Sequence, residues 1–141
     1  MEEEQNSGQN HYVFAIMDMD NFKQVNDTMG HAAGDKCLRR FSVILKNICS
    51  EGEAYRFGGD EFCLVFKNFS VEHVKSICKQ LQDDFGQMAS KEYKEIPLSL
   101  SIGIAEYTSG ISTHRLFRNA DAALYKAKVQ KNRIALWEKN L

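Results

Sequence analysis

Proline is almost missing from this chain. Pro97 is the only one in 141 residues, and no linker is visible inside the sequence. That length without an internal break bounds the chain to one domain, long enough to bury a proper hydrophobic core. An excess of charge of one sign is missing too. Eighteen Lys and Arg stand against 19 Asp and Glu, a net charge of −1, which leaves no broad basic face for DNA or RNA. Long apolar runs are absent: the longest near the N-terminus is YVFAIM, far too short for a membrane span or a signal peptide. The segment MEEEQNSGQNH, residues 1–11, is expected to be a disordered acidic tail. The domain proper is expected over 12–141, cytoplasmic and without membrane contact. C-x-x-C pairs are absent as well. Cys37, Cys49, Cys63 and Cys78 each lie in apolar segments, which predicts buried reduced thiols and argues against zinc or disulfides.

What is present is an alternation of elements without internal repeat. HYVFAIMD reads as a buried strand ending at Asp18. A short helix is expected from about Asn21 to Met29 and is broken by MGHAAGD. Asp35 can cap a second helix whose apolar face is Leu38, Phe41, Ile44, Leu45 and Ile48. EAYRF and FCLVF read as strands joined through Gly58–Glu61, a hairpin. Val71, Val74, Ile77, Cys78, Leu81, Phe85 and Met88 fall at helical spacing. LSLSIGIA alternates cleanly, with Leu98, Leu100, Ile102 and Ile104 on one face and Ser99, Ser101, Gly103 and Ala105 on the other. Pro97 stands at its start, where a missing N–H does least harm. A helix over Ser112 to Val129 and a last strand, RIALW, complete the order β-α-α-β-β-α-β-α-β.

The β-α-β-β-α-β core predicts a split βαβ sheet. There the third strand lies between the first two and runs antiparallel to both. The C-terminal end of strand one then sits beside the hairpin, and Asp18 meets Asp60 and Glu61. Three carboxylates at one sheet edge repel one another, and a divalent cation with a preference for oxygen ligands, Mg²⁺ or Mn²⁺, is the usual remedy. Gly58 and Gly59 let a ligand's phosphates or sugar approach the backbone.

FAIMDMDNFKQVNDTMGHAAGD, YRFGGDEF, LSIGIA and DAALYKAK, in this order from about residue 13 to residue 137, resemble the signature segments of the GGDEF family, the diguanylate cyclases. The resemblance implies an α+β, palm-like nucleotidyl-cyclase fold with a ferredoxin-like core, its mostly antiparallel sheet flanked by helices. It implies condensation of two GTP molecules into cyclic di-GMP with release of two pyrophosphates. It also implies a homodimer, because one domain holds one GTP, and a sensor or regulatory domain or partner in the full-length context.

Residue by residue, the resemblance makes Asp18 a metal ligand, with the Met19 carbonyl and Asp60 completing the site. Glu61 is implied as a further ligand or as the base for the ribose 3′-hydroxyl. Two ions, Mg²⁺ or Mn²⁺, are implied per active site. Backbone amides of Asn21, Phe22 and Lys23 at a helix N-terminus suit phosphates. The Lys23 and Lys128 side chains match positions that offset phosphate charge, and Lys23 is carried as catalytic on that ground. Asn26 and Asp35 match the guanine-reading pair, with His31 in the same segment. Plainer readings stand beside these. Asp20 is expected only to cap the next helix, Asp35 can be an N-cap, His31 can be structural, and Asp121 is expected to satisfy backbone near the hairpin. DFG at 84–86 is a chance kinase triplet in mid-helix. DMDNFKQVND lacks the Gly and Glu that an EF-hand loop needs.

Three departures from the family pattern stand out. Where the family has a helix carrying D-x-L-T-G-L-x-N-R ahead of the first strand, this sequence shows about eleven polar residues, as a truncated chain or a minimal member would. The basic segment A-K-x-x-G-[RK]-N-R reads AKVQKNR, one residue short and without its glycine, which leaves Lys131 as the second phosphate-binding cation. The R-x-x-D product-inhibition site reads CSEG, residues 49–52. The alternative to catalysis is a non-catalytic GTP-binding or signalling module on the same fold.

Overall fold

A computed structural model describes residues 11–49, 53–56 and 60–139. Its nine elements follow the expected order. They are β1 (Tyr12–Asp20), α1 (Phe22–Met29), α2 (His31–Ile48), β2 (Glu53–Arg56), β3 (Glu61–Lys67), α3 (Val71–Glu92), β4 (Ser99–Glu106), α4 (Thr113–Gln130) and β5 (Ile134–Leu136). The strands form one five-stranded sheet in the order β2-β3-β1-β4-β5, antiparallel except for the parallel β4–β5 pair. β3 lies between β2 and β1 and opposes both, as the split βαβ reading requires.

Both faces of the sheet are covered, and β1 shows how. Val13, Ala15, Met17 and Met19 point into the larger core with α1, α2 and α3, where Phe41, Leu81 and Phe85 are fully buried. Phe14 and Ile16 point the other way, toward α4. Asp18 and Asp20 continue that second stripe, because side chains two apart on a strand share a face. The α4 side of β1 therefore starts apolar and ends acidic. On β4 the large residues Leu100, Ile102 and Ile104 fill the larger core, while Ser99, Ser101, Gly103 and Ala105 leave room for α4. A methyl group at Gly103 would strike the backbone of Ala120 and Leu124. The glycine thus lets helix and strand touch main chain to main chain.

Two expectations need correction. β1 runs to Asp20 rather than ending at Asp18, since Met19 and Asp20 pair with Leu100 and Ser99. α2 begins at His31, not after Asp35, and its N-cap is Gly30 at φ 96°. Asp35 lies inside the first turns of the helix, exposed. Two glycines in MGHAAGD suggest a break, but only Gly30 makes one. Gly34 is tolerated within α2 because the Asn26 carboxamide of α1 occupies the space its side chain would need. The four cysteines are free and buried, and burial pushes each thiol above its ordinary value.

Candidate active site

Strand register builds the acidic edge. Asp18 on β1 stands directly opposite Glu61 on β3, so their side chains share the α4 face at the spacing of cross-strand neighbours. The Met19 N–H donates to the Asp60 carbonyl at 3.3 Å, which ties the start of β3 to the end of β1. The Asp60 carboxyl lies against Asp18. Burial first, and then this neighbour, push Asp18 from 3.8 up to about 6, against the pull of Lys128. Glu61 is also raised, by burial, by Asp18 and by Asp121. Asp121 is exposed on α4 and acts here as a fourth acidic charge, a role its place in DAALYKAK does not announce. Gly58 and Gly59 lie outside the described residues, as do residues 1–10 and all of CSEG after Cys49.

The cation that meets these acids belongs to the chain. Lys128, in the last turn of α4, places Nζ 3.0 Å from Asp18 Oδ2 and 3.5 Å from Asp20 Oδ1. Burial pulls its ammonium down, but the bonds to Asp18 and Asp20 hold it above the ordinary lysine value. The two aspartates differ sharply. Asp20 is fully buried and accepts from Ser99 Oγ at 2.6 Å, Ser101 Oγ at 2.7 Å and the Asn132 N–H at 2.9 Å. It caps no helix; it clamps the turn between α4 and β5 to the sheet. That turn holds Lys131 at φ 64° and Asn132 at φ 54°, a backbone the missing glycine would adopt more easily. Asp18, by contrast, has a buried Oδ1 that no hydrogen-bond donor satisfies.

An orphaned carboxylate oxygen among other acids is the kind of buried group that calls for a ligand. The donors at this edge are all oxygens, which fits a hard divalent ion such as Mg²⁺ or Mn²⁺. Among the described residues no three His, Cys, Asp or Glu side chains converge closely enough to hold one as they stand.

The remaining expected residues fall in two groups. Asn21 precedes α1 in a left-handed conformation, φ 66°, fixed by its Nδ2 donating to the Pro97 carbonyl at 2.7 Å. Its Oδ1 accepts from Lys131 Nζ at 3.0 Å. Phe22 is buried and offers a ligand only its backbone. Lys23 is exposed and paired with Asp27 at 2.9 Å, a surface pair of little energetic weight. The second group is Asn26, half-buried on Gly34, with His31 and Asp35 exposed on the first turns of α2.

The family model described as "Diguanylate cyclase, GGDEF domain" matches residues 1–133. The chain belongs to the GGDEF family. Diguanylate cyclase DosC of Escherichia coli K12 is 36% identical over 130 residues, which cover 89% of this chain and 28% of DosC. Diguanylate cyclase DgcS of Shewanella oneidensis is 33% identical over 114 residues, 80% of this chain and 38% of DgcS. The chain therefore spans well under half the length of these relatives. Among solved structures, the GGDEF domain of DgcB from Caulobacter crescentus, in complex with c-di-GMP, superposes with a TM-score of 0.85 at 28% identity, covering 98% of this chain and 84% of that one. The active GGEEF domain of a Vibrio cholerae diguanylate cyclase gives 0.86 at 29%, covering 99% and 90%. The GGDEF match reaches back across the expected tail.

Proposed function

We propose that this GGDEF domain is a diguanylate cyclase. Two GTP molecules, one on each protomer of a homodimer, are joined head to tail. Each ribose 3′-oxygen attacks the other nucleotide's α-phosphorus. Two new P–O bonds form, two α–β phosphoanhydride bonds break, and two pyrophosphates leave. The observation that carries this reading is Asp18: a buried carboxylate with an unpartnered oxygen, in register with Glu61 and against Asp60, in a chain of this family.

Asp18, the Met19 carbonyl, Asp60 and Glu61 are the residues to hold two Mg²⁺ or Mn²⁺ ions. When bound, such ions neutralise phosphate charge and favour an ionised 3′-oxygen. The chain's own residues do the rest. Glu61, raised by burial and then by Asp18 and Asp121, is suited to take the 3′-hydroxyl proton. Gly58 and Gly59 admit the nucleotide close to the backbone. The first N–H groups of α1, at Phe22 and Lys23, lack intrahelical partners and suit phosphate oxygens. Lys23, Lys128 and Lys131 add positive charge.

Base choice follows from acceptor chemistry. An ionised Asp35 can accept from guanine N1–H and N2–H₂, whereas adenine presents an acceptor at N1. The Asn26 amide can donate to O6 or N7, and His31 lines the same segment. Asp35→Ser is expected to relax the preference for GTP over ATP more than it slows the chemistry. Competition between the two nucleotides measures this, and equal use of ATP by the wild type would contradict the guanine pocket.

The reaction itself is tested by incubating the protein with GTP and Mg²⁺ or Mn²⁺ and resolving the products by chromatography and mass spectrometry. Cyclic di-GMP with two equivalents of pyrophosphate is expected. GTP bound but returned unchanged would replace the enzyme reading with that of a GTP-binding module.

A further inference from the structure

Lys128 contacts two carboxylates that need it unequally. Asp20 already accepts from two hydroxyls and a backbone N–H. Asp18 has the ammonium at 3.0 Å, no donor on its other oxygen, and the Asp60 carboxyl against it. Lys128 is itself only partly buried: its side chain is 36% exposed, against 12% for Asp18. The ammonium can therefore leave toward solvent, while three donors hold the Asp20 carboxylate and strand pairing holds the Asp18 backbone.

We infer that Lys128 is an exchangeable counter-ion, which neutralises the acidic edge until a divalent cation takes Asp18 and then turns to the nucleotide's phosphates. The inference rests on the proposed reading of Asp18 as a metal ligand. A doubly charged ion on Asp18 would stand within a few ångströms of the ammonium and repel it. Departure leaves Asp20 with three donors, so the clamp on the α4–β5 turn survives. The freed charge remains at the end of α4 beside Lys131 and Asn21, next to the start of α1. Two consequences follow. The nucleotide-free protein binds metal weakly, because the ion must displace a resident cation. Metal and nucleotide bind cooperatively, because each provides the partner that the exchange requires.

The test is Mn²⁺ binding, by calorimetry or by electron paramagnetic resonance, at about pH 8, where protons do not compete for Asp18. Wild type, Lys128→Met and Lys128→Arg are compared with and without a non-hydrolysable GTP analogue. Without nucleotide, Lys128→Met should bind Mn²⁺ roughly tenfold more tightly than wild type, and Lys128→Arg should not. The gain in Mn²⁺ affinity on adding the analogue should shrink in Lys128→Met. A purely structural lysine would give the opposite sign, weaker metal binding in the variant, and that result or an unchanged affinity overturns the inference while leaving the metal site standing. If wild type binds no Mn²⁺ with or without the analogue, the proposed function fails and the inference with it. A second measurement needs no variant. In wild type carrying ¹³C-labelled lysine, Mg²⁺ should move the Lys128 Cε resonance toward the position of a solvated lysine. Binding of Mg²⁺ with that resonance unmoved would also overturn the exchange.

Discussion

Asp18 and Asp20 lie two residues apart on one strand face, yet they do different work. Asp20 is embedded among Ser99, Ser101, Asn132 and Lys128. Asp20→Ala removes the common acceptor and leaves buried donors unpaired, so thermal denaturation should show a loss of about 3 kcal/mol or more. Asp18 works against stability when ionised. Its folded-state value is raised from 3.8 to about 6. Between those values the folded protein keeps a proton that the unfolded chain has shed, so metal-free stability falls as pH rises from about 4 to 6. After solvent screening is allowed for, the loss is on the order of 1–2 kcal/mol. Above about pH 6 added Mn²⁺ should restore it. A melting temperature that rises with pH across that window, without metal, would contradict the assignment. The partners of Asp20 lie 79 to 112 positions away in the chain, which is why sequence alone suggests a local helix cap.

At the scale of elements, the order and pairing were legible because periodicity separates strands from helices cleanly. β4 alternates large and small residues, and each class meets a different layer. The α2 start was not legible, because the reason for Gly34 lies on α1. Gly34→Ala would drive a methyl group into the Asn26 carboxamide. The far end of one side chain can move aside, so stability should change little. Placement of the amide should not survive, and GTP-over-ATP preference should fall about tenfold, the equivalent of one lost hydrogen bond. Unchanged selectivity would separate Asn26 from base reading. Gly103→Ala is the contrasting case. Its methyl group meets the backbone of α4, which cannot step aside. A loss of about 3 kcal/mol or more is expected in denaturant unfolding.

At the scale of the whole molecule, the sheet gathers the acidic edge from β1 and β3 and the resident cation from α4. In the proposed reaction one such edge serves one nucleotide, so two copies have to meet. Turnover per protomer should rise with protein concentration and level off as the dimer saturates. Constant specific activity over a wide dilution range would contradict a reaction shared between weakly associating protomers. The most direct test of the central claim, that Asp18 is kept for a divalent cation and not for the fold, is a paired measurement on Asp18→Asn. Melting without metal and cyclic di-GMP formation with GTP and Mn²⁺ are followed on the same preparation. Asp18→Asn is expected to melt no lower than wild type and to form no product. A variant that melts far lower, or one that makes cyclic di-GMP at the wild-type rate, would contradict the claim.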